Sequence, residues 1–133
     1  MRDGRTRKLE VAEHCQNFED FLASNRAVVV VLSGDAAGSE HEVHKPNVSL
    51  GRAEPSDWIF ADDTLSKEHA ALEFVDGGMR LRDLGSMNGT TVNGAETKSA
   101  ELKNGDRFQL GEQRFQFVIE KRRRGPKTYV VEE

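Results

Sequence analysis

Asp83-Leu84-Gly85-Ser86-Met87-Asn88-Gly89-Thr90-Thr91-Val92-Asn93-Gly94 is the stretch on which the reading of this chain turns. Its twelve positions hold two Asn-Gly pairs, a further Gly and three hydroxyl residues, and only Leu84 and Val92 are aliphatic. A segment so poor in apolar side chains predicts neither a core strand nor a helix. Asn-Gly marks a tight reversal with φ > 0, because Gly has no Cβ to clash there and Asn tolerates the conformation. The stretch therefore reads as a loop held by turns. It is either an ordinary connector or a binding loop on a rigid scaffold.

On both sides of it the chain reads as short strands. Ala27 to Leu32 is a continuous aliphatic run, the pattern of a strand covered on both faces. His41 to Lys45 is a short strand with Val43 inward, Val48 and Leu50 alternate into Gly51-Arg52, and Trp58-Ile59-Phe60 is another apolar strand. Ala70, Leu72 and Phe74 alternate up to Asp76-Gly77-Gly78, beyond which Met79, Leu81 and Asp83 oppose Arg80 and Arg82. Phe108 and Leu110, then Phe115, Phe117 and Ile119, continue the alternation. Strands this short, parted by Gly and Asn turns and with no helix between them, predict an all-β antiparallel sandwich rather than a parallel sheet.

Four segments follow: a basic arm over residues 1–8, a helix over 9–25, the β domain over 26–120 and a tail over 121–133. In the second, Val11, Cys15, Phe18 and Leu22 recur at helical spacing, so the chain carries one N-terminal amphipathic helix. Its apolar stripe either packs on its own domain or forms a homodimer contact. The tail opens with Lys121-Arg122-Arg123-Arg124, which reads as a solvated exit from the domain.

With 133 residues the chain suits one domain plus appendages, and its net charge of -4 does not suit a nucleic-acid footprint. An anion must therefore be held locally. The one cysteine excludes an internal disulfide. No apolar run approaches the roughly 20 residues of a membrane helix, and no signal-peptide core is evident, so the expected setting is a reducing cytoplasm without membrane contact.

Gly51-Arg52, Ser66-Lys67-Glu68-His69 and Ser86-Met87-Asn88-Gly89-Thr90 each fall at a strand end or in a loop. Together they supply a guanidinium, an ammonium, hydroxyls, an amide and exposed backbone N–H groups. Phosphorylated threonine carries about -1.5 to -2 charge and three acceptor oxygens, and a pocket for it wants this kind of donor set.

In these three pieces, and in the order Asp83-Leu84-Gly85-Ser86-x-Asn88-Gly89-Thr90-x-x-Asn93-Gly94, the chain resembles the forkhead-associated (FHA) domain from about Ala27 to Ile119. The resemblance implies a β-sandwich of about eleven strands that binds phosphothreonine peptides by loops at one end, with no enzymatic activity and no cofactor. It implies a signalling module downstream of Ser/Thr protein kinases, whose partner is a phosphothreonine-containing protein.

By the same resemblance, Arg52 and Ser66 meet the phosphate, Lys67 adds a backbone N–H and positive field, and Asn88 bonds the main chain of the peptide. Ser86 and Met87 belong to the same binding loop. Gly51, His69, Gly89 and Asn93 support the site: Gly51 by a backbone turn that aims Arg52, His69 by bracing the loop of Ser66, and Asn93 by shaping its turn. Met87 departs from the family, which often has Thr or Ser there. A thioether donates no hydrogen bond, so about 1.5 to 3 kcal/mol is lost unless Ser86 or a backbone N–H substitutes. The alternative is an FHA-fold scaffold or oligomerisation protein that does not read phosphate. Thr6 and Thr128 are candidate internal phosphosites.

Two other chemistries are disfavoured. Ser66, His69 and Asp83 are the residue types of a hydrolase triad, but no nucleophile elbow surrounds Ser66. His41 and His44, three apart on a strand, point to opposite faces and hold no metal together.

Overall fold

The computed structural model describes residues 17–122. The basic arm, the first half of the expected N-terminal helix, and the tail from residue 123, with Thr6 and Thr128, lie outside the described residues. The chain opens with helix α1 (Phe18–Ser24) and continues through eleven strands. These are β1 (Asn25–Val31), β2 (Glu40–Glu42), β3 (Asn47–Gly51), β4 (Trp58–Ile59), β5 (Ala70–Val75) and β6 (Gly78–Asp83). The rest are β7 (Thr90–Val92), β8 (Ala95–Glu96), β9 (Ser99–Leu102), β10 (Arg107–Leu110) and β11 (Gln113–Lys121).

They form two sheets, a six-stranded one in the order β2-β1-β11-β10-β7-β8 and a five-stranded one in the order β4-β3-β5-β6-β9. The inner faces bury Val29, Leu50, Leu72, Leu81, Phe108, Phe115 and Phe117 against one another. Alternation is what sends these side chains inward, since successive Cβ atoms in a strand point to opposite faces. The antiparallel expectation holds for every described pair of strands except one: β3 and β4 run parallel, through Leu50↔Trp58 and Gly51↔Ile59. That short parallel pair sets the start of the loop that carries Arg52.

The amphipathic segment does not run as a single helix through residue 17. Asn17 is extended, with φ -134 and ψ 168, and its side chain accepts from the Asp20 N–H, which starts the described helix at Phe18. This short helix packs on its own domain. Phe21 is buried, with ring centroids 5.4 Å from Phe74, and Phe18 lies 5.6 Å from the same ring. Only the first two residues of the expected solvated exit are described, and both are exposed. Lys121 ends β11, and Arg122 clasps the helix C-terminus, its Nε donating to the Leu22 carbonyl at 2.7 Å and its backbone N–H to that of Ser24 at 2.9 Å.

The stretch from Asp83 to Gly94 is shorter as a loop than its composition predicts. The loop is Leu84 to Gly89; Thr90–Val92 is β7, paired with β10, and Thr90 is buried. Asn93 and Gly94 then close a two-residue hairpin to β8 with φ 50 and φ 86, the doubly positive geometry that Asn-Gly favours.

Candidate functional site

Three connections meet at one rim of the sandwich: β3 to β4, β4 to β5, and β6 to β7. The first begins at Gly51, which is buried, and a Cβ there would collide with the Lys67 carbonyl and the Ser56 hydroxyl. The sequence reading gave Gly51 a turn-making role. The structure corrects the reason, because no positive φ is needed there and the glycine instead lets the Ser66-Lys67 backbone lie against β3. The contact is secured when the Arg52 N–H donates to the Ser66 carbonyl at 3.0 Å and the Ser56 hydroxyl to that of Lys67 at 2.6 Å.

Arg52 and Ser66 are thereby held side by side. The Arg52 Nε donates to the Leu65 carbonyl at 3.0 Å, which fixes the guanidinium over the second loop. Among the described residues this exposed guanidinium forms no ion pair. The Ser66 Oγ accepts the Met87 N–H at 3.0 Å and keeps its own proton to donate. Lys67 is exposed beside it.

His69 is fully buried and joins two of the loops. Its Nδ1 accepts the Ser66 N–H at 3.1 Å, and a nitrogen that accepts carries no proton, so Nε2 is the donor to the Gly89 carbonyl at 2.8 Å. These two contacts tie the loop of Ser66 to the loop that ends at Gly89. The same contacts are not those of a hydrolase: His69 faces the Ser66 backbone rather than its hydroxyl, and Asp83 bonds elsewhere.

Asp83 organises the third loop. Its Oδ1 accepts the Ser86 hydroxyl at 2.6 Å and the Thr90 hydroxyl at 2.7 Å, and its Oδ2 accepts the Gly85 and Ser86 N–H groups at 2.9 and 3.0 Å. Burial by itself would raise this carboxyl. The donors from Ser86, Thr90 and Gly85 outweigh that and hold it down to about 2.

Ser86 is consequently not a phosphate ligand in waiting. Its hydroxyl donates to Asp83 and accepts the Gly89 N–H at 3.0 Å, so it braces the loop from within and does not replace the donor missing at Met87. Met87 itself is 88% exposed. Gly89, at φ +90, makes the reversal that aims its carbonyl at His69.

Asn88 crosses to the second loop, its Nδ2 donating to the Thr64 carbonyl at 2.8 Å. Thr64 is a junction that sequence reasoning missed. Its N–H and hydroxyl bond Asp62, and its Oγ1 accepts the Glu112 N–H from the β10–β11 turn at 2.9 Å. The Asp-x-Thr spacing, typical of a side-chain-capped turn, is the signal that would have found it.

The structure brings Arg52, Ser66, Lys67, Met87 and Asn88 together, with Gly51, His69, Ser86 and Gly89 beneath them. It does not bring Asn93. That side chain sits at the far end of β7, where its Nδ2 donates to Asp106 at 3.1 Å and its Oδ1 accepts the Arg107 N–H at 3.0 Å, because the intervening strand points the hairpin away from the rim.

Among the described residues, eleven strands form a sandwich with a polar, cation-bearing rim assembled from three loops, which is the forkhead-associated architecture. The chain belongs to the forkhead-associated family. A family model described as the cytoplasmic domain of an inner membrane component of type III secretion systems matches residues 30–121.

Among similar proteins, the glycogen accumulation regulator GarA of Mycolicibacterium smegmatis is 39% identical over 107 residues, spanning 80% of this chain and 65% of the relative. The oxoglutarate dehydrogenase inhibitor of Corynebacterium efficiens is 35% identical, over 74% of this chain and 70% of that protein. The chain thus spans about two thirds of the length of these relatives.

Of solved structures, an FHA domain studied for phosphothreonine-dependent interactions superposes with a TM-score of 0.64 at 25% identity, covering 70% of this chain and 95% of that one. The FHA domain of a hypothetical protein from Arabidopsis thaliana does so with 0.65 at 26% identity, covering 79% and 92%. Among the described residues no helix is long and apolar enough to cross a membrane.

Proposed function

We propose that the rim binds a phosphothreonine-containing segment of a partner protein, as a signalling module downstream of a Ser/Thr kinase. The observation that carries this is the side-by-side fixing of Arg52 and Ser66: one contributes a guanidinium with no ion-pair partner among the described residues, the other a hydroxyl with a proton to give. A dianion accepts from both, and charge-assisted bonds of this kind are roughly twice as strong as neutral ones. Lys67 adds positive charge beside them. The Oδ1 of Asn88, whose Nδ2 is spent on Thr64, accepts a peptide N–H and keeps the ligand extended across the loops. The regulatory roles in the names of the relatives and the phosphothreonine dependence of the solved neighbour support the same reading.

A second reading, phospho-independent docking at the same rim, is favoured by one observation. Ser86 is committed to Asp83 and Met87 has no side-chain donor, so the phosphate has fewer ligands than the family pattern supplies. A degenerate peptide array in phosphothreonine, phosphoserine and unphosphorylated versions decides between them. The first reading expects binding of the phosphothreonine set alone and its loss in Arg52→Ala with the fold intact. Equal binding of phosphorylated and unphosphorylated sets would establish the second.

A further inference from the structure

The outer face of the six-stranded sheet carries a second cationic feature just below the rim. Thr91, Gln109 and Arg114 are neighbours in the strand register, Gln109↔Thr91 and Gln109↔Arg114, and Arg107 with Gln116 forms the next row. These positions alternate with the buried Phe108, Leu110, Phe115 and Phe117, so they face outward. Together with Leu32 and Gly94, the side chains of Thr91, Arg107, Gln109 and Arg114 border a hollow of about 310 Å³.

Both arginines are exposed, and among the described residues neither guanidinium forms an ion pair or a side-chain hydrogen bond. Arg26, Arg82 and Arg122, by contrast, all face carboxylates. The acids close to the hollow are otherwise placed. Asp106 spends one oxygen on Asn93 and the other on the Lys103 N–H, and an oxygen of Glu96 lies 3.5 Å from where a Cβ of Gly89 would stand.

The strands that floor the hollow also support the proposed peptide site. The Gly111 N–H donates to the Gly89 carbonyl at 3.1 Å and the Glu112 N–H to Thr64, so the binding loops rest on the turn from which β10 and β11 descend. Arg107 lies three residues below Leu110, about 10 Å at the rise of a strand.

We propose that Arg107 and Arg114 receive an acidic segment of the same partner chain whose phosphothreonine occupies the rim, making recognition bipartite. This rests on the phosphothreonine reading and deepens it by naming a feature of the ligand outside the phosphate. Glu96, the register partner of Thr91 with an oxygen near Gly89, and Glu112, in the β10–β11 turn, lie on the rim side of the hollow and repel acids placed next to the phosphothreonine. The acidic residues are therefore set apart from the phosphothreonine by a neutral spacer, of which three extended residues cover the roughly 10 Å from the β10–β11 turn down to Arg107.

The test is fluorescence anisotropy with a short phosphothreonine peptide and with the same peptide lengthened by three alanines and four glutamates, on either side in turn. One lengthened form is expected to bind about fivefold tighter at low salt, the gain of two exposed ion pairs, and to lose that gain as salt rises. The Arg107→Ala/Arg114→Ala double variant removes the gain and leaves the short peptide unchanged, whereas Arg52→Ala removes binding of both. No gain from either extension, or a gain that survives the double variant, overturns the proposal while leaving the phosphothreonine reading in place. Should no phosphopeptide bind, the hollow is judged alone, by titrating the unphosphorylated tetraglutamate peptide into 15N-labelled protein. Shifts at the amides of Thr91, Arg107, Gln109 and Arg114 then support an acid-binding face, and their absence refutes it.

Discussion

Asp83→Asn changes one atom in the third loop and is expected to be among the most damaging conservative substitutions in the domain. The carboxylate accepts four donors: two hydroxyls on one oxygen and two backbone N–H groups on the other. The amide can turn its oxygen toward the Gly85 and Ser86 N–H groups, but its NH₂ then faces the Ser86 and Thr90 hydroxyls, which lose the acceptor for their protons and must rotate away. Two bonds to a charged acceptor, worth about 1.5 to 3 kcal/mol each, are lost or inverted, and partial relaxation leaves a cost of about 3 kcal/mol.

The charge contributes a portion of this that titrates. A carboxyl held from 3.8 down to about 2 stabilises the fold by about 2 kcal/mol above pH 5. Because the folded-state value is the lower one, that stability is present above the unfolded value and lost as pH falls through the folded one. Urea unfolding at pH 7 and pH 3 measures both effects. Asp83→Asn is expected to lose about 3 kcal/mol at pH 7, and the gap to the native protein to narrow by about 1 kcal/mol at pH 3. A variant as stable as the native chain at pH 7, or a gap that does not change with pH, would refute the assignment of Asp83 as the ionised centre of the loop.

Gly51→Ala forces a methyl group into the Lys67 carbonyl, so a loss of at least about 2 kcal/mol is expected in denaturant unfolding, with peptide binding weakened in whatever fraction folds. Asn93→Ala removes two bonds that tie the β7–β8 hairpin to Asp106 and Arg107; stability should drop by about 1 kcal/mol in thermal melts while phosphopeptide affinity stays the same. A fall in affinity would mean that this hairpin communicates with the rim after all. Arg122→Ala releases the helix C-terminus, and hydrogen exchange should accelerate in α1 ahead of the sheets; uniform exchange would show the clasp to be idle.

Much of the architecture was legible because it follows from alternation. Phe115, Phe117 and Ile119 against Arg114, Gln116 and Val118, or Met79 and Leu81 against Arg80 and Arg82, can bury one set only by forming strands. The hairpin at Asn93-Gly94 was equally readable, since few other dipeptides take two positive φ values cheaply. Thr90–Val92 was not readable as a strand. Its pairing partner β10 lies well downstream, and three residues of polar composition carry no period of their own. The helix boundary was missed for a related reason: Phe18 and Leu22 keep helical spacing with Val11 and Cys15, while the cap at Asn17 that starts the described helix depends on a single rotamer.

The sequence by itself determined which residue types gather in the loops: a guanidinium, an ammonium, an amide, hydroxyls, and the motif order that marks the family. Which of them remain free to bind was decided only by the tertiary structure. Ser66 and Ser86 are the same residue in similar settings, yet the first keeps a proton to give and the second surrenders its own to Asp83. Gly51 looks like a turn residue until the Lys67 carbonyl is found where its side chain would be. The physical reason is common to these cases. A hydrogen bond or a steric limit belongs to a pair of groups, and a linear chain names both members without saying which pairs will meet.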